Sequence, residues 1–352
     1  MSAGTRFVEP LAFARAARAQ AAMSGAWSAG DPHLSLPWFA LLAETAMPAE
    51  ARLALLPCGT EGRAAFLPMM ALPETPGRVA ALANFYTPLF GLINPEQVLD
   101  TALVQHLREL RQAGGINELR FAPLAAEGQD IQLLQRSLRA AGWWVGSYFC
   151  FGNWFHRVEP GGAERYLAGR PSQLRHTLQR AERKLAREAD AQLVIVEAPG
   201  SQLDDAIAQF TAVYATSWKE PEPYPQFIPG LCRLAAGEGS LRLGVLKLGG
   251  QPIAAQLWLV ANATASIVKL AYDPAFARYS PGTVLTAALC RRVIDQDGVH
   301  TLDYLIGDDA YKQDWMSQRR ERHGLVAFNT RRPAGALGAI RHLAGAWWRQ
   351  RR

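Results

Sequence analysis

The stretch that most constrains this chain runs from Ala265 to Arg322. It reads ASIVKLAYD, PAFARYSPG, TVLTAALCRRVIDQDG, VHTLDYLIGDD and AYKQDWMSQRRER in turn. Strand, Gly/Pro loop, helix, strand and short helix follow from that pattern, which together make one βαβ crossover. Parallel strands joined by a right-handed connection are where open α/β folds bind phosphate-bearing ligands. A functional reading therefore starts here.

The elements before it extend the same sheet. LRLGVLKL, QPIAAQLWLV and ASIVKLAYD are separated by GG and NAT, the pattern of an antiparallel meander. AQLVIVEA reads as a strand, and LDDAIAQFTAVYATSW as a helix with Leu203, Ile207, Phe210 and Tyr214 on one side. Its exit, KEPEPYPQFIPG, holds four prolines and is expected to be an ordered surface loop. Further upstream, RPSQLRHTLQRAERKLAREAD reads as a helix with Leu174, Leu178, Ala181 and Leu185 in one stripe. Arg180, Arg183, Lys184 and Arg187 crowd its remaining surface, either as a solvated face or as a basic wall beside an anionic ligand. HGLVAFNT closes the region as a strand.

The first half repeats this order in shorter form. ARLALLP and GRAAFLPMM read as a hairpin across a turn at Cys58 to Gly62, and EQVLDTALVQHLRELRQAGG as a helix ended by its double glycine. INELRFAPL, QDIQLLQRSLRAAG and WWVGSYFCFGNWFHRV continue as strand, helix and aromatic strand. The expected organisation is a lobe over residues 1–160, a second over 161–330 and a tail over 331–352.

Composition narrows the classes. No apolar run reaches the roughly 18 residues of a membrane-spanning helix, and the amino-terminal stretch lacks the pattern of a signal peptide. Cys58, Cys150, Cys232 and Cys290 are too widely spaced for a metal knuckle and read as reduced thiols of a cytoplasmic protein; the histidines show no metal spacing, so no metal is expected. The net charge of +6 is local: residues 331–352 hold six arginines and no acid, which leaves 31 basic against 31 acidic residues elsewhere. A neutral body argues against nucleic acid as a partner. Serine hydrolase, zinc protease and NTPase motifs are absent.

The strings KLAYDPAFARYSPGT and DYLIGDDAYKQDW, with LRHTLQRAERKL upstream, resemble the GNAT acyltransferases, in the branch of CelD-type acetyltransferases of polysaccharide biosynthesis and FemAB-like peptidyl transferases. The resemblance covers residues 165–330 and implies an α/β (α+β) fold of two tandem GNAT-like lobes. Each would be a mixed, mostly antiparallel sheet flanked by helices. It implies an acyl thioester donor, acyl-CoA or an acyl-carrier protein, and direct attack by a small-molecule amine or glycan-precursor acceptor. Aminoacyl-tRNA-dependent peptidyl transfer, or a non-catalytic role in polysaccharide assembly, are the alternatives.

In such enzymes a loop entering a helix N-terminus holds the pyrophosphate of coenzyme A, where free N–H groups and the helix dipole favour an anion. Here that loop offers Arg278, Ser280, Gly282 and Thr283, with Pro281 removing one donor. Asp303, a carboxylate within an apolar strand, is costly unless paired. Lys269 on the neighbouring strand is its expected partner, and a general-base role is the alternative. Tyr311 would protonate the departing thiolate, and Lys312 would orient a phosphate or pair with Asp308. Trp218 and Tyr224 would line the acceptor pocket.

In the tail, Leu337, Ile340, Ala344 and Trp347 share one helical face, followed by Trp348 and arginines. The pattern suits either docking on the protein or peripheral contact with an anionic membrane surface.

Overall fold

The computed structural model describes residues 6–24, 31–59, 64–188 and 190–350. The elements in chain order are α1 (Pro10–Ser24), α2 (Leu36–Thr45), β1 (Arg52–Pro57), β2 (Phe66–Ala71), β3 (Arg78–Ala81), α3 (Asp100–Gln112), β4 (Glu118–Ala125), α4 (Gln129–Ala140) and β5 (Trp144–Arg157). Next come α5 (Gly162–Ala168), α6 (Ser172–Leu185), β6 (Gln192–Val196), α7 (Ser201–Thr216), α8 (Phe227–Gly237), β7 (Leu241–Leu248), β8 (Gln251–Ala261) and β9 (Thr264–Tyr272). The chain closes with α9 (Pro281–Arg291), β10 (Thr301–Asp303), α10 (Lys312–Trp315), β11 (Gln318–Phe328) and α11 (Pro333–Gln350). The architecture is mixed α/β, with sheet flanked by helices.

Two compact units divide the chain: Met1–Phe151 with Glu321–Arg352, and Gly152–Arg320. In the first, β1, β2 and β3 form an antiparallel meander, β3 pairs in parallel with β4 across α3, and β4 pairs with β11. The expected hairpin is β1 with β2; of its expected turn, residues 60–62 lie outside the described residues. In the second unit β6, β7, β8 and β9 are antiparallel, β9 pairs in parallel with β10 across α9, and β10 pairs with β5. The two units thus share an order of meander, crossover helix, parallel strand and closing strand. In each, the closing strand comes from the other half of the sequence.

The leucine stripe of α6 explains its helix. Leu178, Ala181 and Leu185 are buried in a cluster with Tyr166 and Leu167 of α5 and with Leu285, Leu289 and Cys290 of α9. Its arginines face outward, and its Glu182 meets Arg291 of α9 at 2.8 Å.

Three element readings differ from the structure. The proline-rich exit of α7 ends in a helix, α8, which carries Pro229 in its first turn, where the missing N–H costs nothing. The second strand of the crossover stops at Asp303, because Leu305 takes a left-handed conformation (φ 54). QRRER, read as helical, is the start of β11. Cys58, Cys232 and Cys290 are buried and Cys150 half-buried, all as free thiols.

Candidate functional site

The site grows from the parting of β9 and β10 in the second unit. They pair over three positions only, Thr264 with Thr301, Ala265 with Leu302 and Ser266 with Asp303. Beyond these, β9 runs on to Tyr272 against β8, whereas Tyr304 turns its N–H to the Trp154 carbonyl at 2.9 Å. A cleft opens between the two strands. Within it, the register of β8 to β9 slips between Ile267 and Lys269, so that Val268 faces no residue of β8. Such a bulge leaves a backbone group unpaired and re-aims it, which is why bulges gather beside active sites.

One wall of the cleft is a fully satisfied polar clamp. Asp303 is 3 % exposed and Asn153 0 %. Asn153 Nδ2 donates to Asp303 Oδ1 at 2.6 Å and to the Leu305 carbonyl at 2.8 Å. The Leu305 N–H also donates to Asp303 Oδ1, at 2.7 Å. Arg320 completes the set, its Nε donating to Asn153 Oδ1 at 2.7 Å and its Nη2 pairing with Asp303 Oδ2. The partner of Asp303 is therefore Arg320, not Lys269, and two of these bonds hold both backbone polar groups of Leu305 in its costly left-handed conformation. Lys312, buried, adds a second brace: its ammonium donates to the carbonyls of Ile306 and of Gly307, the latter at 3.3 Å, and meets Asp309 at 3.2 Å. Its carboxylate partner is thus Asp309 rather than Asp308, and its three protons are in use. Asp308 instead takes Arg319 and the Trp154 indole N–H at 2.7 Å.

Tyr311 stands at the edge of this wall, 43 % exposed, with its ring edge-on to Tyr304 at 5.7 Å. Partial burial, and then Asp309, raises its hydroxyl above the usual range, so that it keeps its proton at neutral pH.

The opposite wall is built on β9 and α7. Lys269 meets Glu222 at 2.5 Å and lies 5.4 Å from the centre of the Tyr214 ring, whereas the next residue, Leu270, packs against the cluster of α5, α6 and α9. Successive strand residues point to opposite faces, so α7 covers one face of the sheet and α9 the other. Trp218, just past α7, packs on Tyr272 with centroids 4.7 Å apart. Lys219 sits 5.9 Å from both the Tyr214 and the Trp218 rings and, among the described residues, forms no ion pair. Burial, and the charges of Lys269 and Lys312, lower its pKa. Tyr224 lies just before α8, where its carbonyl accepts from Phe227 at 3.0 Å.

The chain has five lysines against 32 arginines. Lys219, Lys269 and Lys312 gather at this cleft, and Lys184 lies at the loop that follows β9, over the Tyr279 ring at 4.7 Å and on the Arg278 carbonyl at 3.4 Å. That loop carries the four residues expected to grip a donor. Ser280 is left-handed (φ 45), and its carbonyl takes the N–H groups of Thr283 (3.0 Å) and Val284 (3.2 Å). Gly282 lies against Tyr272, where an added Cβ would meet ring carbon Cδ1 at 3.4 Å. With Pro281 lacking a donor, Gly282 supplies the first amide of α9 that points out of the helix. Arg278, beside it, stacks over Tyr279 at 5.0 Å. The combination of basic side chains and a helix N-terminus suits a phosphate-bearing donor.

The structure therefore brings Asp303, Lys312 and Tyr311 together on one wall and Lys269 with Trp218 on the other. Sequence reasoning missed Asn153, Arg320, Glu222 and Lys219. The rarity of lysine was the signal that could have singled out Lys219.

Residues 172–313 match a family model described as acetyltransferase (GNAT) domain. The match lies within the second unit. Three solved structures share the fold. The C-terminal domain of an Agrobacterium fabrum protein described as a lysylphosphatidylglycerol synthetase is 14 % identical with a TM-score of 0.56, over 94 % of each chain. FemX is 11 % identical with a TM-score of 0.53, over 78 % of this chain and 87 % of that one. A Bacteroides thetaiotaomicron protein of unknown function is 9 % identical with a TM-score of 0.52, over 79 % of this chain and 86 % of that one. No curated protein sequence matches this chain.

Proposed function

We propose that the GNAT domain transfers an acyl group from an acyl thioester, acyl-CoA being the donor class the domain fits, to an amine. The parting of β9 and β10 carries this reading, because it offers a slot for an extended thioester with the Val268 bulge on one side and the Asp303 turn on the other. Gly282, Arg278 and Lys184 would take the donor's phosphates at the mouth of α9. The donor supplies an activated carbonyl; the chain supplies orientation and proton handling.

The acceptor approaches on the α7 face. Its nitrogen attacks the thioester carbonyl carbon, the C–N bond forms and the C–S bond breaks. Glu222 takes the proton from the nitrogen, and Tyr311, held protonated, gives one to the departing sulfur. Glu222 replaces Asp303 in the role of base because both Asp303 oxygens are occupied by Asn153, Leu305 and Arg320. Asp303 becomes a positioning residue for the turn. Lys219, with its ammonium between two aromatic rings, suits an acceptor with a carboxylate or phosphate, such as a precursor of an envelope-linked polymer.

Calorimetric titration of the full chain with coenzyme A and acetyl-CoA, followed by turnover with amines that do or do not bear a carboxylate or phosphate, tests this. Binding is expected, together with a drop of about 10²-fold in turnover for Glu222→Gln with donor binding retained. Absence of binding to both coenzyme A and acetyl-CoA would remove the assignment of the donor.

A further inference from the structure

Helix α11 is amphipathic in the reverse of the usual sense. Its inner side is made of its smallest residues. Ala339 is buried with Val326 and Phe328, an added Cβ at Gly338 would stand 2.5 Å from Phe328 Cε1, and one at Gly335 would strike the Asn329 carbonyl. His342 completes this side, edge-on to Trp144 at 5.7 Å. Glycines that weaken the helix in isolation are thus the residues that let its backbone lie close against β11.

The outer side holds the large apolar residues. Leu337, Ile340, Leu343, Trp347 and Trp348 are 47 % to 63 % exposed. They are five of the 14 large hydrophobic residues that are exposed among the described residues, and they sit on one helix of 18. At about 100° per residue their side chains span an arc of about 140°, opposite Gly338, Ala339 and His342. Scattered surface hydrophobics need no explanation, but a contiguous apolar face marks an interaction surface. Arg341 borders it, and residues 331–352 carry six arginines without a single acid.

We infer that the outer face of α11 is a docking surface for an anionic lipid bilayer. Charge and chemistry select this occupant. A second copy of the chain would bring a segment of the same net charge of +6 to this one. An anionic leaflet takes both features at once: leucine, isoleucine and tryptophan enter the boundary between headgroup and acyl chain, while arginines remain at the phosphates. Each basic residue near such a surface strengthens the attraction. The helix lies in the plane of the surface, since no helix among the described residues is long and apolar enough to cross a membrane.

The test is co-sedimentation of the full chain with vesicles of phosphatidylcholine alone or mixed with phosphatidylglycerol. Binding to the mixed vesicles is expected, weakened by added salt and lost at least about tenfold in the double variant Ile340→Asp/Trp347→Asp. Circular dichroism of that variant should show an unchanged thermal midpoint, since both side chains point outward. A wild-type chain that stays in the supernatant with anionic vesicles, or a double variant that still sediments with them, overturns the inference. So does a dimer in sedimentation equilibrium that the double variant dissociates without any effect on vesicle binding.

Discussion

Two regions invert the rule that apolar groups lie inside and polar groups outside, and they do so with opposite consequences. Around Asp303 a carboxylate and an amide are taken out of water, and each finds a partner, the half-exposed Arg320 guanidinium pairing with both. On α11 five large apolar side chains are each about half or more exposed to water. Buried polar groups cost free energy that satisfied hydrogen bonds offset, so the first inversion closes within the fold and fixes one turn of backbone. Exposed apolar area has no such internal compensation, so the second is closed from outside. A satisfied inversion therefore points to architecture, an unsatisfied one to a partner.

The comparison breaks first at the clamp if it breaks at all. Arg320→Met leaves the Asp303 carboxylate buried without its cation, the situation that costs 3–5 kcal/mol in a fully buried pair. The Arg320 side chain is 42 % exposed, which reduces the expected loss to about 2–4 kcal/mol. Urea denaturation of the wild type and variant reads it. A loss below 1 kcal/mol would mean that the turn holds itself and that the clamp is not what positions Leu305.

The next test sets the two sides of α11 against each other. Gly338→Ala adds a single methyl, but against the Phe328 ring, and should cost about 1–3 kcal/mol by overpacking. Ile340→Ser removes a far larger apolar group and should change stability by no more than about 0.5 kcal/mol, because that group is already in water. Thermal unfolding of both variants decides it. If the serine variant proves the more costly, the outer face is packed against something in solution and the description of an open surface fails.

These two regions also mark where the sequence is legible. The stripes of α3, α4 and α6 and the crossover through α9 follow from apolar periodicity, because that signal is local. Asp303 stands out as a carboxylate among apolar neighbours, yet its partners do not: Asn153 is 150 residues away, and Arg320 lies in a run of charges that reads as helix but folds as strand. Glu222 is hidden in a proline-rich exit, and α8 behind Pro229, since proline signals a break wherever it falls except the first turn. The stripe of α11 is plain in the sequence, but which side faces inward depends on Phe328 and Asn329, whose closeness only the fold reveals.

The smallest effect expected sharpens the comparison within a single turn. Asp308 lies five residues after Asp303 and is almost as well supplied, accepting from Arg319 and from the Trp154 indole, but it stands near the surface. The hydrogen bond from Arg319 is the main cause that holds its pKa below the ordinary carboxylate value. A carboxyl group with a depressed folded-state pKa binds its proton less readily than in the unfolded chain, so its stabilisation is present above about pH 4 and is lost as pH falls through the folded value. Asp308→Asn should flatten the fall in denaturation midpoint between pH 4 and pH 2 relative to the wild type, and solvent should keep the difference well below that of Arg320→Met. Parallel curves for wild type and variant over that range would show that the exposed pair contributes nothing measurable, and that in this turn only a carboxylate removed from water shapes the fold.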